Sequence, residues 1–253
     1  MFKISPLSPD QRRLCSDTIS SNTFFMLVGD ALQSRYPLSV VRMGDGEHHL
    51  MSDCSGGLED PVQPYPGFGV EWLQKLGCEG IPRGVLRERL YRAATRCTHF
   101  APSVSGIQRE EYNLYPYFPP RERYVDNFFV NAWDDNMKMP LFKAAKHVLF
   151  IHNNPRTADA LQIRARGGLG VKVSYLQLTN WRETEDVLQA AWNIDAPLVL
   201  LCTGPAGKYM GPELSSQGPI PRVCLDIGNA ADRWTFLKTL GHIKRTDAAV
   251  EVV

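Results

Sequence analysis

Leu198-Val199-Leu200-Leu201-Cys202-Thr203-Gly204-Pro205 is the stretch on which the fold turns. Five apolar residues run without alternation, and a Gly-Pro turn then opens into a helix-like segment over Gly207–Ser216. A strand with no polar side is buried on both faces, as happens in parallel sheets covered by helices. The same unit recurs on either side of it. His147–His152 reads as a strand, Thr157–Arg166 as a helix, Val171–Gln177 as a strand and Glu183–Asn193 as a helix. Further on, Arg222–Asp226 reads as a strand and Asp232–Leu240 as the last helix. Short strands alternating with helices predict an α/β protein with a Rossmann-like, mainly parallel sheet and helices on both faces. In such a sheet, ligands gather beyond the carboxyl ends of the strands.

Working back toward the start, Ser8-Pro9-Asp10 reads as a helix start, with Pro inside the first turn. A second helix is expected over Asn22–Ser34, where Phe24, Phe25, Leu27, Val28, Ala31 and Leu32 supply the apolar face. Tyr36-Pro37 breaks it. Leu38–Val41 then reads as a buried strand ending at Arg42-Met43-Gly44-Asp45-Gly46-Glu47. The stretch 54–146 is expected to be an irregular middle insertion on the acceptor side. It carries a short helix at Val70–Leu76, an amphipathic helix over 83–96, a strand near Thr98–Ser103 and an aromatic, Pro-rich run over 109–123. Long loops in compact domains are often binding segments or lids. No internal repeat divides the 253 residues, so one globular domain over 1–253 is expected.

Composition narrows the class. With 28 Lys+Arg against 27 Asp+Glu the net charge is +1, which argues against a protein that coats nucleic acid electrostatically. The 43% hydrophobic and 22% charged residues are those of a folded chain rather than a disordered one. Neither Val148–Ile151 nor Leu198–Cys202 approaches the roughly 20 apolar residues that span a bilayer, so no transmembrane segment is expected. The opening residues lack the apolar run, about 7–15 residues long, of a secretory signal. The six cysteines, at 15, 54, 78, 97, 202 and 224, form no C-x-x-C pair. Reduced thiols and a cytoplasmic location are the expectation.

Three strand ends carry the candidate chemistry. The first is Val40–His49, VVRMGDGEHH. In an extended backbone the side chains at i and i+2 share a side, so Asp45 and Glu47 would aim both carboxylates at one point. Gly46 would let a ligand approach the backbone. Paired carboxylates at a strand's carboxyl end suit a hard cation such as Mn²⁺ or Mg²⁺, which would neutralise a diphosphate. Arg42 would pair with the acids or with a phosphate. The plainer alternative is a turn with exposed acids. His48 and His49 point apart in any regular structure, so at most one lines the site.

The second is the turn at Gly204 and Pro205. A strand, a Gly-containing turn and a helix N-terminus form an anion cradle, although neither a Walker A loop nor G-x-G-x-x-G is present. Lys208 stands within reach of a phosphate, but an ordinary solvated lysine is the stronger expectation. The third is Cys224–Asn229, where Asp226 is a metal partner, a nucleoside contact, a general base or merely a helix cap. His152 and Arg156 end the strand that begins at His147 and lie on the same rim. The arginines at 83, 87, 89, 92 and 96 give one helix a strong positive charge, and a solvated face is favoured over a polyanion contact.

Taken together, the R-x-G-D-G-E loop and a late block resemble the GT-D-type glycosyltransferases. The late block is Leu200–Pro205, then Leu214-Ser215-Ser216-Gln217-Gly218, then Leu225-Asp226-Ile227-Gly228. The resemblance implies a Rossmann-like fold, a nucleotide-sugar donor (typically a UDP-sugar) and a divalent cation, Mn²⁺ or Mg²⁺, at Asp45 and Glu47. By matched position Arg42, Gly44, Gly46, Gly204, Pro205 and Gly228 would line the nucleotide-sugar site. The candidates for accepting the acceptor's proton are Asp226, His48 and His152, in that order. After D-I-G the family continues with His and an acidic, aromatic run, whereas this chain has Asn229-Ala230-Ala231-Asp232-Arg233-Trp234. The expected activity is metal-dependent transfer of a hexosyl or pentosyl group to a hydroxyl acceptor. A glycan or glycoprotein is favoured as acceptor over a modified nucleic-acid base. Two rivals are a metal-dependent phosphoester or nucleotide-sugar hydrolase and a non-catalytic nucleotide-sugar-binding protein. The aromatic run Tyr112–Phe118 suits stacking on sugars or bases, or plain packing.

Overall fold

The computed structural model describes residues 18–52, 57–64, 69–102, 123–127, 129–154, 170–230 and Trp234. Ordered along the chain are α1 (Ser21–Ser34), β1 (Leu38–Met43), α2 (Asp45–Ser52), α3 (Val70–Leu76), α4 (Arg83–Arg96) and β2 (His99–Pro102). They are followed by α5 (Phe129–Ala132), α6 (Asp135–Ala145), β3 (His147–His152), β4 (Lys172–Gln177), α7 (Thr184–Trp192), β5 (Leu198–Cys202), α8 (Pro205–Gln217) and β6 (Val223–Asp226). Short 3₁₀ turns precede α7 and follow β6.

The six strands form one sheet in the order β2-β1-β6-β5-β3-β4, and every neighbouring pair is parallel. This is the doubly wound α/β arrangement that the apolar runs predict. Period-2 alternation divides each strand between two cores. Val41, Met43, Leu149, Ile151, Val199 and Leu201 face the side of α4, α7 and α8. Leu38, Val40, Val148, Phe150, Leu198 and Leu200 face the side of α1 and α6. The chain leaves β3 toward β4 on one side and leaves β5 toward β6 on the other. The connections therefore diverge at the β3/β5 boundary, where His152 pairs with Cys202, and such a switch point opens a crevice at the strands' carboxyl ends.

The central helix is α8. Its first residue is Pro205, whose missing N–H is one that the first turn leaves unbonded anyway. Gly207 and Gly211, one turn apart, lay its backbone directly on β5: a Cβ at Gly211 would stand 3.1 Å from Leu201 Cδ1. Every residue from Pro205 to Ser215 is buried.

Several expectations shift. The strand begun at Leu38 continues to Met43, and α8 starts at Pro205 rather than Gly207. The stretch 54–146 is more regular than expected, since it also carries α5 and α6. Helix α6 forms across Pro140 because Asp134 caps it by accepting from the Met137 N–H. Lys138 pairs with Asp135 one turn away, 2.9 Å apart. The expected elements at Ser8-Pro9-Asp10 and Thr157–Arg166, the run Tyr112–Phe118 and the final helix apart from Trp234 lie outside the described residues. Among the described residues no helix is long and apolar enough to cross a membrane.

Candidate active site

The D-x-E segment does not stay extended. Helix α2 begins at Asp45, directly beyond Gly44. Residues two apart on a helix point about 200° away from each other, so the expected convergence of Asp45 with Glu47 does not follow from this backbone. The reason is local. Glu47 turns back and accepts the Gly44 N–H through Oε2 at 2.9 Å, which is the acid half of a capping box and fixes the helix start. The described residues include the backbones of Asp45 and His48 but not their side chains.

Glu47 Oε1 instead meets Lys208 Nζ at 3.1 Å, and the same ammonium lies 3.2 Å from Asp226 Oδ2. All three side chains are buried, Lys208 at 6% exposure, Glu47 at 8% and Asp226 at 2%. Asp226 Oδ2 also accepts the Arg42 backbone N–H at 3.1 Å, tying the ends of β1 and β6 together. Burial works against the charge on Lys208. The Asp226 and Glu47 carboxylates outweigh it and hold the lysine's pKa above its ordinary value. The Cys78 thiol stands in the same field and is pushed up to about 12, mainly by burial and further by Glu47, so it is a neutral thiol. Lys208, expected in solvent, is thus the buried centre of the site. The sequence does carry a signal for it: four residues beyond the Gly204 turn places it in the first turns of a helix at the sheet's carboxyl rim.

The glycines expected to admit a ligand admit protein groups. A Cβ at Gly46 would lie 3.1 Å from the Trp72 indole, and one at Gly204 3.3 Å from Leu76 Cδ2. Trp72 and Leu76 both belong to α3, so this short helix caps the rim above β1 and β5. Gly228, at φ +48°, lets Arg42 Nη1 pass, since a Cβ there would stand 2.9 Å from it. Gly204 is held at φ +58° and ψ −137°, a region open essentially to glycine alone. Arg42 donates through Nε to the side-chain and backbone oxygens of Asn127, a partner that the sequence reading did not single out. Pro205 is the first residue of α8, which leaves the N–H groups of the next residues as an anion cradle.

Next to this cluster, a cavity opens at the β3/β5 switch point, lined by Lys75, Leu76, Asn153, Thr179, Asn180 and Thr203. Thr203 Oγ1 is buried there without a hydrogen-bond partner in the structure. A buried hydroxyl left in that state marks a place for a polar ligand or a water. His152, half-buried at the end of β3, accepts the Asn154 N–H through Nδ1 at 3.0 Å.

The arginine helix is neither a solvated face nor a polyanion groove over its whole length. Arg92 Nε and Arg96 Nη1 reach Glu213 Oε1 at 3.1 and 2.7 Å, and Glu213 on α8 is 3% exposed. Arg89 pairs with Glu185 at 3.0 Å and lies over the ring of Tyr209. Arg83 is buried. Arg89, Arg92 and Arg96 bolt α4 to α7 and α8.

These donors do not fit the cation that the sequence resemblance implies at Glu47. Among the described residues no three His, Cys, Asp or Glu side chains gather closely enough to hold a metal ion. Both Glu47 oxygens are engaged, and the space between Glu47 and Asp226 is filled by an ammonium. At an effective dielectric of about 20, a divalent ion about 4 Å from a unit positive charge meets roughly 8 kcal/mol of repulsion. The Glu47–Asp226 pair fits the lysine, not a second cation beside it.

No family model matches the sequence, and no curated protein matches it. Solved structures do share its architecture. One, of the highly conserved domain of unknown function 1792 with a distinct glycosyltransferase fold, has a TM-score of 0.57 at 16% identity. It covers 89% of this chain and 83% of that chain. A selenomethionine-substituted structure of domain of unknown function 1792 has a TM-score of 0.56 at 16% identity over the same shares. At that identity the likeness is one of fold: this chain has an α/β sheet of glycosyltransferase-like architecture.

Proposed function

We propose that this protein is a glycosyltransferase that moves a hexosyl or pentosyl group from a nucleotide-diphosphate sugar, with a UDP-sugar as the donor class, to a hydroxyl acceptor. The observation that carries the reading is the meeting of the two motif blocks on one rim of a glycosyltransferase-like sheet. Glu47 from the first block and Asp226 from the second meet there through Lys208 of α8, beside that helix's N-terminus and a small cavity. The diphosphate would lie at the α8 N-terminus, where backbone N–H groups and the helix dipole favour anions. Positive charge at that point favours the transition state, in which negative charge grows on the departing diphosphate. A divalent ion, Mn²⁺ or Mg²⁺, would travel with the diphosphate oxygens, and Asp45 is the motif acid left for it once Glu47 is committed. Mg²⁺ characteristically binds through one or two carboxylates plus substrate phosphates.

Of the three candidate bases, Asp226 is tied to Lys208 and to the Arg42 N–H, which suits a positioning role better than proton abstraction. His152 stands at the rim, beside the cavity residue Asn153. The acceptor, a glycan or glycoprotein in this proposal, would approach from the α3 side.

The test is a panel of nucleotide sugars read by thermal shift and by nucleotide release, with and without hydroxyl acceptors. A donor that raises Tm and releases free nucleotide only when an acceptor is present supports the proposal, because a native-state ligand stabilises by mass action. Release with water alone points to a hydrolase, and binding with no release to a non-catalytic receptor. Failure of every nucleotide sugar to shift Tm overturns the reading.

A further inference from the structure

We infer that Lys208 is the resident cation of the Glu47–Asp226 pair, so that this part of the rim is built to exclude a divalent ion rather than to take one. The inference stands on contacts within the chain and is independent of the sugar-transfer reading.

The two carboxylates come from elements far apart in sequence, α2 and the end of β6, and the ammonium stands 3.1 and 3.2 Å from them. A single cation bridging two buried carboxylates does the electrostatic work that a metal does in a dicarboxylate site. It neutralises both and fixes their separation. Backbone donors add to the pairing: Glu47 Oε2 takes the Gly44 N–H, and the Asp226 Oδ2 that meets the ammonium also takes the Arg42 N–H. The other groups facing the pair do not call for a metal either. Arg42 adds a second positive charge felt by Lys208, and Cys78 is held as a neutral thiol.

Lys208 cannot readily swing away to make room. The helix that carries it lies flush on β5 through Gly207 and Gly211, and the lysine is buried between α8 and the ends of β1 and β6. Lysine is also the better occupant for this geometry. Its ammonium is a compact point charge with three donors, and it can satisfy two carboxylates on different elements at once. Lys208 is therefore a positioning residue. It holds Glu47 and Asp226 at the carboxyl ends of adjacent strands, next to the α8 N-terminus.

The experiment titrates the full-length chain with Mn²⁺ alone, without nucleotide, and follows free Mn²⁺ by its electron paramagnetic resonance signal. In the wild type, Glu47→Gln and Asp226→Asn are each expected to change Mn²⁺ affinity by less than twofold. Lys208→Met is expected to create a new site at least tenfold tighter than any in the wild type, and Lys208→Met with Glu47→Gln is expected to lose it again. A wild-type Mn²⁺ site that weakens tenfold or more in Glu47→Gln or Asp226→Asn overturns the inference, as does a folded Lys208→Met protein with no new site. Should Lys208→Met fail to fold, the comparison of the wild type with the two single acid variants decides alone. Because no nucleotide is present, a negative result here leaves the donor panel free to succeed or fail separately.

Discussion

Lys208→Met is the most informative single perturbation for stability, because methionine keeps the volume of the side chain and removes only its charge and donors. The ammonium lies 3.1 Å from Glu47 and 3.2 Å from Asp226, and all three groups are buried. Breaking a buried ionic network by removing one partner costs about 3–5 kcal/mol, because the orphaned charges have no water to replace what they lost. Against a total stability of about 5–15 kcal/mol that is a large fraction. The deficit should also depend on pH in a defined direction. Left without the lysine, each carboxylate is desolvated and stands beside a like charge, so its folded pKa rises above the unfolded value of about 4. The folded state then binds more protons than the unfolded one, and stability rises as the pH falls through that raised pKa. Urea unfolding at pH 7 and pH 5 should show the gap between variant and wild type narrowing, by about 1.4 kcal/mol per pH unit for each acid that takes up a proton. The wild type behaves in the opposite sense at the alkaline end. Its raised lysine pKa gives stability that is fully present below the unfolded value of about 10.4 and is lost as pH climbs through the folded value. A deficit below about 1 kcal/mol at pH 7, or one that stays constant down to pH 5, would refute the assignment of Lys208 as the network's cation.

Two other perturbations test the frame around the site. Gly204→Ala forces a side chain into a backbone region open essentially to glycine and against Leu76 Cδ2, so it should lower stability by about 1–3 kcal/mol in urea unfolding. An alanine with wild-type stability there would show that the turn is not strained. His99, on β2, is pushed down to about 4 by burial, with Arg123 adding to the effect. A histidine kept neutral in the folded state loses stability as pH falls from about 6.5 toward 4. His99→Gln should therefore flatten that acid limb by about 2 kcal/mol, allowing for partial exposure of the ring, and an unchanged limb would count against the shift.

The fold was legible wherever burial was unambiguous. Leu198–Cys202 and His147–His152 are apolar on both sides, and only a central parallel strand makes use of such a run. Helix α6 was not legible because its cues conflict. Pro140 reads as a breaker, while the evidence for the helix is a single cap by Asp134 and one Asp-Lys pair. At the site, position proved easier to read than partnership. Glu47, Asp226 and Gly204 were recognised as rim residues from the ends of their strands. What each touches depends on tertiary contacts, however, and spacing along the chain does not encode these. Convergence of an i, i+2 pair requires an extended backbone at Asp45–Glu47, whereas Glu47 accepts the Gly44 N–H at the start of a helix. The arginine helix failed for a related reason. Its charge count is the same whether Arg92 and Arg96 face water or a buried Glu213, and only the docking of α8 distinguishes the two.

That docking also explains why a lysine and a glutamate can both be buried on one helix without making the fold implausible. Glu213 faces α4 and is neutralised by Arg92 and Arg96, while Lys208 faces α2 and β6 and is neutralised by Glu47 and Asp226. The two clusters fix α8 from opposite directions, and the glycines at 207 and 211 fix its height above β5. A helix held in this way presents its N-terminal N–H groups at an invariant place and angle. Electrostatic catalysis requires that property, since donors that must reorganise during the reaction lose much of their advantage over water. On this argument the buried charges serve the site chiefly through the helix they immobilise. Substitutions at Glu213, remote from any bound diphosphate, should then weaken donor affinity as well as stability, whereas substitutions at the exposed Tyr91 on the same α4 helix should alter neither.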